Sequence, residues 1–298
     1  MSESQYRKYI LTGKAEEGPG LGTTPVVSAA LEGLEDWGGI RHRISWKYIS
    51  GPTMMIDEPH LHDFDEFLVF LGNNPADPKD FNAEIEFSFG VERETHKIDS
   101  AAVVCVPRGI VHCPLNFKKI GRPILFSVVY LAPDYERKSL SDSYFSSAAS
   151  VEPDYGKYIL VEPKGEGPRK LDTEEWGVSI NEDITSAVGK FNCNFNFLGI
   201  LGPHVLPDPP HSHNCDEFLF LIPASHDDWP SLGGEVEIAI GEDWEKQSIN
   251  TAAVICMPIG VQHCPVYMKR VDKPFYWGHI LLAPSYGSSA YDPEQSSS

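Results

Sequence analysis

The chain reads PHLHDFDEFLVFL from Pro59 to Leu71 and, 151 positions later, PHSHNCDEFLFLI from Pro210 to Ile222. Around this pair, residues 51–135 align with 202–286 without a gap, and about 30 of the 85 positions are identical. A second pair of blocks, AAVVCVPRGIVHCP from Ala101 and AAVICMPIGVQHCP from Ala252, keeps the same offset, and YLAPDY then matches LLAPSY. Self-similarity on this scale identifies a duplicated domain before any single motif is read. Near the start, YRKYIL (Tyr6–Leu11) matches YGKYIL (Tyr155–Leu160) at an offset of 149. The Ser-rich stretch Glu136–Gly156 is poor in aliphatic residues, so the join is expected inside it, near Ser147, giving domains 1–147 and 148–298.

Within each repeat, short apolar or alternating runs such as FLVFL, AEIEFSFG, AAVVCVP and ILFSVVYL are separated by Gly, Pro, Asn and Asp clusters, the pattern of many short antiparallel strands. Helical periodicity is nearly absent, and 24 prolines with 25 glycines suit a turn-rich all-β architecture. A helical turn at Ser28–Glu35 is the one local exception expected. The glycines of GPGLGTTP (Gly18–Pro25) are followed by no Lys-Ser/Thr, so this segment reads as a loop and not as a phosphate cradle.

Six of the eleven histidines fall at equivalent places: His60, His62 and His112 in the first repeat, His211, His213 and His263 in the second. Alternation along a strand turns both imidazoles of a His-x-His pair to one face, about 7 Å apart, close enough to share a metal ion. Glu66 and Glu217 stand four residues after the second histidine of each pair. The third histidine follows a Pro-x-Gly turn, Pro107–Gly109 or Pro258–Gly260. Three nitrogens and one carboxylate with open positions suit Fe or Mn, and also Ni, Cu, Co or Zn, better than a closed structural zinc site. Neighbours on a strand point oppositely, so Glu66 and Glu217 are expected inside and Asp65 and Asp216 outside.

His-x-His-x3-Glu followed some 40 residues later by Pro-x-Gly-x2-His resembles the paired motif of the cupins, and its presence twice resembles a bicupin. The resemblance covers roughly residues 45–135 and 196–286. It implies two tandem double-stranded β-helix (jelly-roll) barrels, each holding a divalent metal ion by His60, His62, Glu66 and His112 or by His211, His213, Glu217 and His263, two ions per chain. The motif departs from the family at Ala101 and Ala252, where a glycine is expected, and at Asp57 and Asp208, where oxalate-processing members often carry an arginine. His112 keeps the family's later asparagine at Asn116, whereas His263 has Tyr267, so the two pockets are expected to differ. His42, His96, His204, His226 and His279 lack counterparts and are expected at the surface or a pocket edge.

Cys105 and Cys113 recur as Cys256 and Cys264 around the Pro-x-Gly turn and read as buried reduced thiols, Cys113 facing away from His112. Cys215, between His213 and Glu217, faces the second metal if its strand runs straight, in the place Phe64 holds in the first site.

In 298 residues, 41% hydrophobic and 22% charged residues with 11% aromatics are a globular composition. A formal charge of −19 repels phosphate backbones and anionic headgroups, which argues against nucleic-acid and membrane partners. No apolar run reaches the ~18 residues of a spanning helix and the start lacks the order of a secretion signal, so a cytoplasmic protein is expected. The expected state is monomer or homodimer, since a bicupin already contains the pseudo-two-fold pair.

The leading functional expectation is a metal-dependent oxygenase that brings dioxygen to a small aromatic or enolic compound, with Phe64, Phe87, Phe126 and Trp277 near the walls and Glu66 or Glu217 accepting a proton. Similarity to the quercetinase type of bicupin implies this reading. The alternative is a metal-dependent decarboxylase or isomerase of the same architecture, and a further one is a metal-loaded binding protein without catalysis.

Overall fold

The computed structural model describes residues 4–12, 14–18, 26–32, 42–77, 79–132, 135–140, 154–161, 177–180, 191, 193–206, 208–227, 229–283, 287 and 289–290. They form short antiparallel strands, and the only helices among the described residues are single 3-10 turns at Arg7–Tyr9 and Tyr155–Tyr158. The chain folds into two compact units that are not contiguous halves. Met1–Gly13 and Pro168–Thr185 group with Asn192–Ser298, and Ser186–Phe191 groups with Lys14–Gly167. Ser147 lies outside the described residues, as do 19–25 of the Gly-rich segment.

In the N-terminal unit, one sheet runs in the order Ile159–Val161, Ala102–Val106, Glu66–Leu71, Ile124–Tyr130, Arg43–Ile49, Val26–Glu32, Lys14–Gly18. The second places Lys138–Ser139, His60–Leu61, His112–Ile120, Ala83–Phe89 and Glu94–Ile98 side by side, with Thr53–Ile56 also on His112–Ile120. Ile85, Phe87 and Phe117 of this sheet pack with Leu68, Phe70, Val104 and Phe126 of the other, which makes a jelly-roll core. Glu66–Leu71 is buried on both faces, which is why it reads as an unbroken apolar run, whereas Ala83–Phe89 alternates buried residues with half-exposed ones.

The C-terminal unit repeats the plan, with Ile10–Thr12, Ala253–Met257, Glu217–Pro223, Phe275–Leu281, Asn194–Ile200 and Gly177–Ile180 in one sheet. His263–Val271 is central to the other, between His211–Ser212 and Ser231–Ile240. The YxKYIL segments are crossed over relative to chain order. Ile10 pairs with Ile255, and Ile159 pairs with Val104. Glycine seats each segment: a Cβ on Gly90 (φ +75) would meet the Tyr155 hydroxyl at 2.5 Å, and one on Gly241 (φ +82) would meet the Tyr6 ring at 1.9 Å.

The helical turn expected at Ser28–Glu35 is not formed over its described part. Val26–Glu32 is a strand paired with Arg43–Ile49, Ser28 opposite Lys47, so sheet extension overrides the local helix preference of Ala, Leu and Glu.

Candidate metal centre

Each site is assembled where the two sheets meet. His60 opens the short His60–Leu61 strand and pairs directly with His112, the first residue of its own strand. Glu66 begins the strand of the facing sheet. The Pro-x-Gly turn is tied to this arrangement by three bonds: Gly109 N–H donates to the His62 carbonyl (2.7 Å), Ile110 N–H to Pro107 (3.1 Å), and Arg108 N–H to the Asp65 carboxylate (2.9 Å). Gly109, at φ +79, supplies the left-handed residue the reversal needs. The second repeat reproduces this with Gly260 to His213 (2.9 Å), Val261 to Pro258 (3.0 Å) and Ile259 to Asp216 (2.9 Å). Asp65 and Asp216 therefore clamp the turn and stay outside the site, as alternation requires.

All eight candidate ligands are 5% exposed or less. In the first site the ring centroids stand 4.9 Å (His60–His62), 4.4 Å (His60–His112) and 5.1 Å (His62–His112) apart; in the second the same pairs give 4.8, 4.5 and 5.2 Å. Every Nδ1 faces a backbone carbonyl: Glu58 (3.0 Å), Glu136 (2.7 Å) and Ile110 (3.0 Å) in one site, Pro209 (2.6 Å), Gly287 (2.7 Å) and Val261 (3.0 Å) in the other. A carbonyl only accepts, so each Nδ1 carries a proton, and Nε2 is the ring atom left to face the site.

Two of the three Nε2 atoms in each site approach a carboxylate. Glu66 Oε2 lies 3.3 Å from His112 Nε2 and 3.9 Å from His62 Nε2, and Glu217 Oε2 lies 2.9 Å from His263 Nε2 and 3.5 Å from His213 Nε2. Imidazole nitrogens and a carboxylate converging in a buried space are satisfied by a shared proton or by a cation, and three imidazoles with one carboxylate fit a divalent transition ion. His62, Glu66 and His112 offer ligand atoms within 4.8 Å of one another, as do His213, Glu217 and His263; His60 and His211 join through His112 and His263 in overlapping clusters that also contain Cys113 and Cys264. Burial, reinforced by His112, lowers the His60 imidazole to about 4, and burial lowers His62 and His211 as well. At His213 burial also lowers, but the Glu217 carboxylate outweighs it and leaves the ring raised. Burial alone would raise Glu217, yet His213 and His263 hold it below the ordinary carboxylate range.

Several sequence expectations need correction. Cys113 does not face away from His112: its φ of +75 and a register shift between His112 and Leu115 break the alternation, and its thiol joins the His60–His112 cluster. Cys264, at φ +73, does the same. Burial pushes both thiols up. Cys105 is turned the other way from the Val104 and Val106 face that packs with Cys113, so no thiol pair spans the turn. Cys215, half-buried, is in neither cluster. Asn116 and Tyr267 are not what distinguishes the pockets, because their neighbours Leu115 and Phe117, or Val266 and Met268, take the core positions. His42 is fully buried, not superficial. Phe64 stacks on His62 (4.6 Å) and Phe87 on His112 (6.1 Å), whereas Phe126 and Trp277 belong to the cores, Phe126 against Phe70 and Phe117.

What distinguishes the pockets is a row of directly paired residues. Arg43, Tyr130, Glu66 and Val106 lie across four adjacent strands of the first unit; Asn194, Leu281, Glu217 and Met257 occupy the same row in the second. Paired residues share a face, so Arg43 and Tyr130 stand on the side to which Glu66 points. Tyr135 adds a ring 5.1 Å from His62 and 5.0 Å from Tyr130. Burial, then Glu66, pushes the Tyr130 phenol far up and Tyr135 to about 12, so both are neutral hydrogen-bond donors. In the second pocket His279 replaces Val128 and hydrogen-bonds Asn194 at 3.3 Å. The clue was available in the repeat alignment, as Arg43 against Asn194 and Tyr130 against Leu281.

Two jelly-roll units in one chain, each with a His-x-His, a glutamate and a late histidine at the meeting of its sheets, define the bicupin fold, and this chain has it. No protein-family model and no curated protein sequence matches it. Solved structures do. Oxalate decarboxylase of Lactobacillus farciminis, solved as a formate complex, is 12% identical with a TM-score of 0.59 over 100% of this chain and 92% of that one. Bacillus subtilis oxalate decarboxylase, described with Mn(II) centres, is 13% identical with a TM-score of 0.57, covering 94% of this chain and 78% of that one. Vicilin of hazelnut, Corylus avellana, is 11% identical with a TM-score of 0.58, covering 95% and 87%. Likeness at such identity concerns the fold. Among the described residues no helix is long and apolar enough to cross a membrane.

Proposed function

We propose that this protein is a metal-dependent enzyme, with one divalent ion in each unit, that decarboxylates a small organic acid. The observation that carries the reading is the convergence, twice, of two histidine Nε2 atoms on one buried carboxylate, with a third imidazole 4.4 or 4.5 Å from the late histidine. Burying such sets without a cation is costly, which disfavours a purely structural role of the vicilin kind. Manganese or iron suits the donor set, and the Mn(II) centres of the Bacillus neighbour favour manganese.

The ion, when bound, polarises a substrate oxygen as a Lewis acid. The chain's own residues do the rest in the first pocket. Arg43 supplies the charge complementary to a carboxylate from the edge of the row, the role the sequence leaves vacant at Asp57. Tyr130 donates a hydrogen bond toward charge developing beside Glu66, and Glu66 accepts or returns the proton that replaces carbon dioxide. Phe64 and Tyr135 exclude water from the mouth.

A second reading, an oxygenase of aromatic or enolic compounds, is favoured by that same aromatic wall around His62. The two part in one experiment on protein purified without chelators: elemental analysis, then small acids and phenols offered in an oxygen electrode with carbon dioxide recorded. Carbon dioxide without oxygen uptake is expected. Stoichiometric oxygen uptake moves the assignment to the oxygenase, a ligand recovered unchanged moves it to a binding protein, and protein that takes up no manganese or iron ends all three.

A further inference from the structure

The feature common to both sites that the bicupin ligand set leaves unused is a thiol. Cys113 offers its sulfur within 4.8 Å of ligand nitrogens of both His60 and His112, and Cys264 does so with His211 and His263. A buried cysteine alone is an ordinary core residue. Three observations set this pair apart. The juxtaposition occurs twice, while the equally duplicated Cys105 and Cys256 stay out of the clusters. Each cysteine adopts a left-handed backbone, φ +75 and +73, which non-glycine residues seldom take and which turns the side chain to the histidine side. And His112, the residue common to the thiol cluster and the carboxylate cluster, has a buried Nε2 that makes no hydrogen bond and has the Glu66 carboxylate 3.3 Å away.

We infer that Cys113 and Cys264 are sulfur donors to a metal ion, each beside the two histidines it is clustered with, His60 and His112 or His211 and His263, so that the chain also accepts thiophilic divalent ions. The inference rests on the metal reading above. On binding, the thiol proton leaves to solvent as the sulfur–metal bond forms, and no electron changes hands. A thiolate adds negative charge to a set otherwise balanced by one carboxylate, and it favours zinc or cobalt over magnesium or calcium.

Zinc is the probe. Full-length protein, stripped and reloaded with two equivalents of Zn²⁺ without air, is examined by X-ray absorption at the zinc edge. One sulfur per zinc at about 2.3 Å is expected beside nitrogen and oxygen at about 2.0–2.1 Å. Cys113→Ser and Cys264→Ser should each remove half of that sulfur signal, and the double variant all of it, with zinc still bound and the other four cysteines in place. Bound zinc with only nitrogen and oxygen around it overturns the inference and leaves the metal reading standing. Sulfur that persists in the double variant also overturns it, since another cysteine then supplies it. Failure of zinc to bind at all overturns the inference, and failure of manganese and iron as well overturns the metal reading. Should the double variant not fold, the wild-type shell and the two single variants decide.

Discussion

The two histidine clusters agree within 0.1 Å in every imidazole spacing, yet the walls one strand away differ in charge, size and hydrogen bonding. Beside Glu66 stand Tyr130 and Arg43; beside Glu217 stand Leu281 and Asn194. The two repeats thus keep the histidine–glutamate geometry in common and differ in the wall beside it. On the proposed function, the difference puts chemistry on an anion in the first pocket, since the second has no cationic or phenolic group in that row.

The largest expected effect tests what the cages share. His60→Ala and His211→Ala should each remove close to one metal equivalent by elemental analysis, and the double variant should be metal-free. Metal in 100-fold excess over its dissociation constant should also stabilise the wild type by about 2.7 kcal/mol and the double variant not at all. Retention of both equivalents by the double variant would break the comparison at its root.

Next in size is the wall. Tyr130→Leu gives the first pocket the second's residue and should lower kcat about 100-fold, the cost of one donor aimed at developing charge. Arg43→Asn should act on KM instead, raising it about 10- to 100-fold, as loss of a hydrogen bond to a charged group does. Leu281→Tyr should change neither constant. Equal losses from Tyr130→Leu and Leu281→Tyr would mean that both pockets turn over substrate.

The seats of the crossed-over segments offer a comparison with a structural readout. Gly241→Ala places a methyl group on the Tyr6 ring and forces a left-handed φ on alanine. A loss of roughly 3 kcal/mol in denaturant unfolding is expected, with faster proteolysis near the N-terminus. Gly202→Ala, with open space around it, is the control. If both behave alike, the YxKYIL segment is not anchored by Tyr6.

How far the sequence carried these conclusions depends on the range of the interaction. The jelly rolls, the Pro-x-Gly turn and the gathering of the candidate histidines with Glu66 and Glu217 were legible because these residues keep fixed short spacings in two copies. Arg43 and Tyr130 were not singled out, since 87 residues separate them and only sheet register brings them face to face. Cys113 was misplaced because alternation presumes an extended backbone, and one left-handed residue inverts it. The crossing of YxKYIL was hidden for a further reason: an edge strand of three residues carries no signal of which sheet it extends.

The smallest expected effect concerns a position where the repeats differ in a buried group away from both cages. His42 aligns with Cys193, and both are fully buried. Burial lowers the His42 imidazole from 6.5 to about 3. Above pH 6.5 it is neutral whether the chain is folded or not and contributes no pH dependence. Between 6.5 and about 3 the unfolded chain binds a proton that the folded one refuses, so stability falls as pH falls through that window. At pH 5 the penalty is about 2 kcal/mol. His42→Cys, the second repeat's own solution, should therefore flatten the acid limb of the stability curve while leaving metal content unchanged. Urea midpoints at pH 7 and pH 5 measure it, and identical pH dependence in variant and wild type would show that the folded protein accepts the proton at His42.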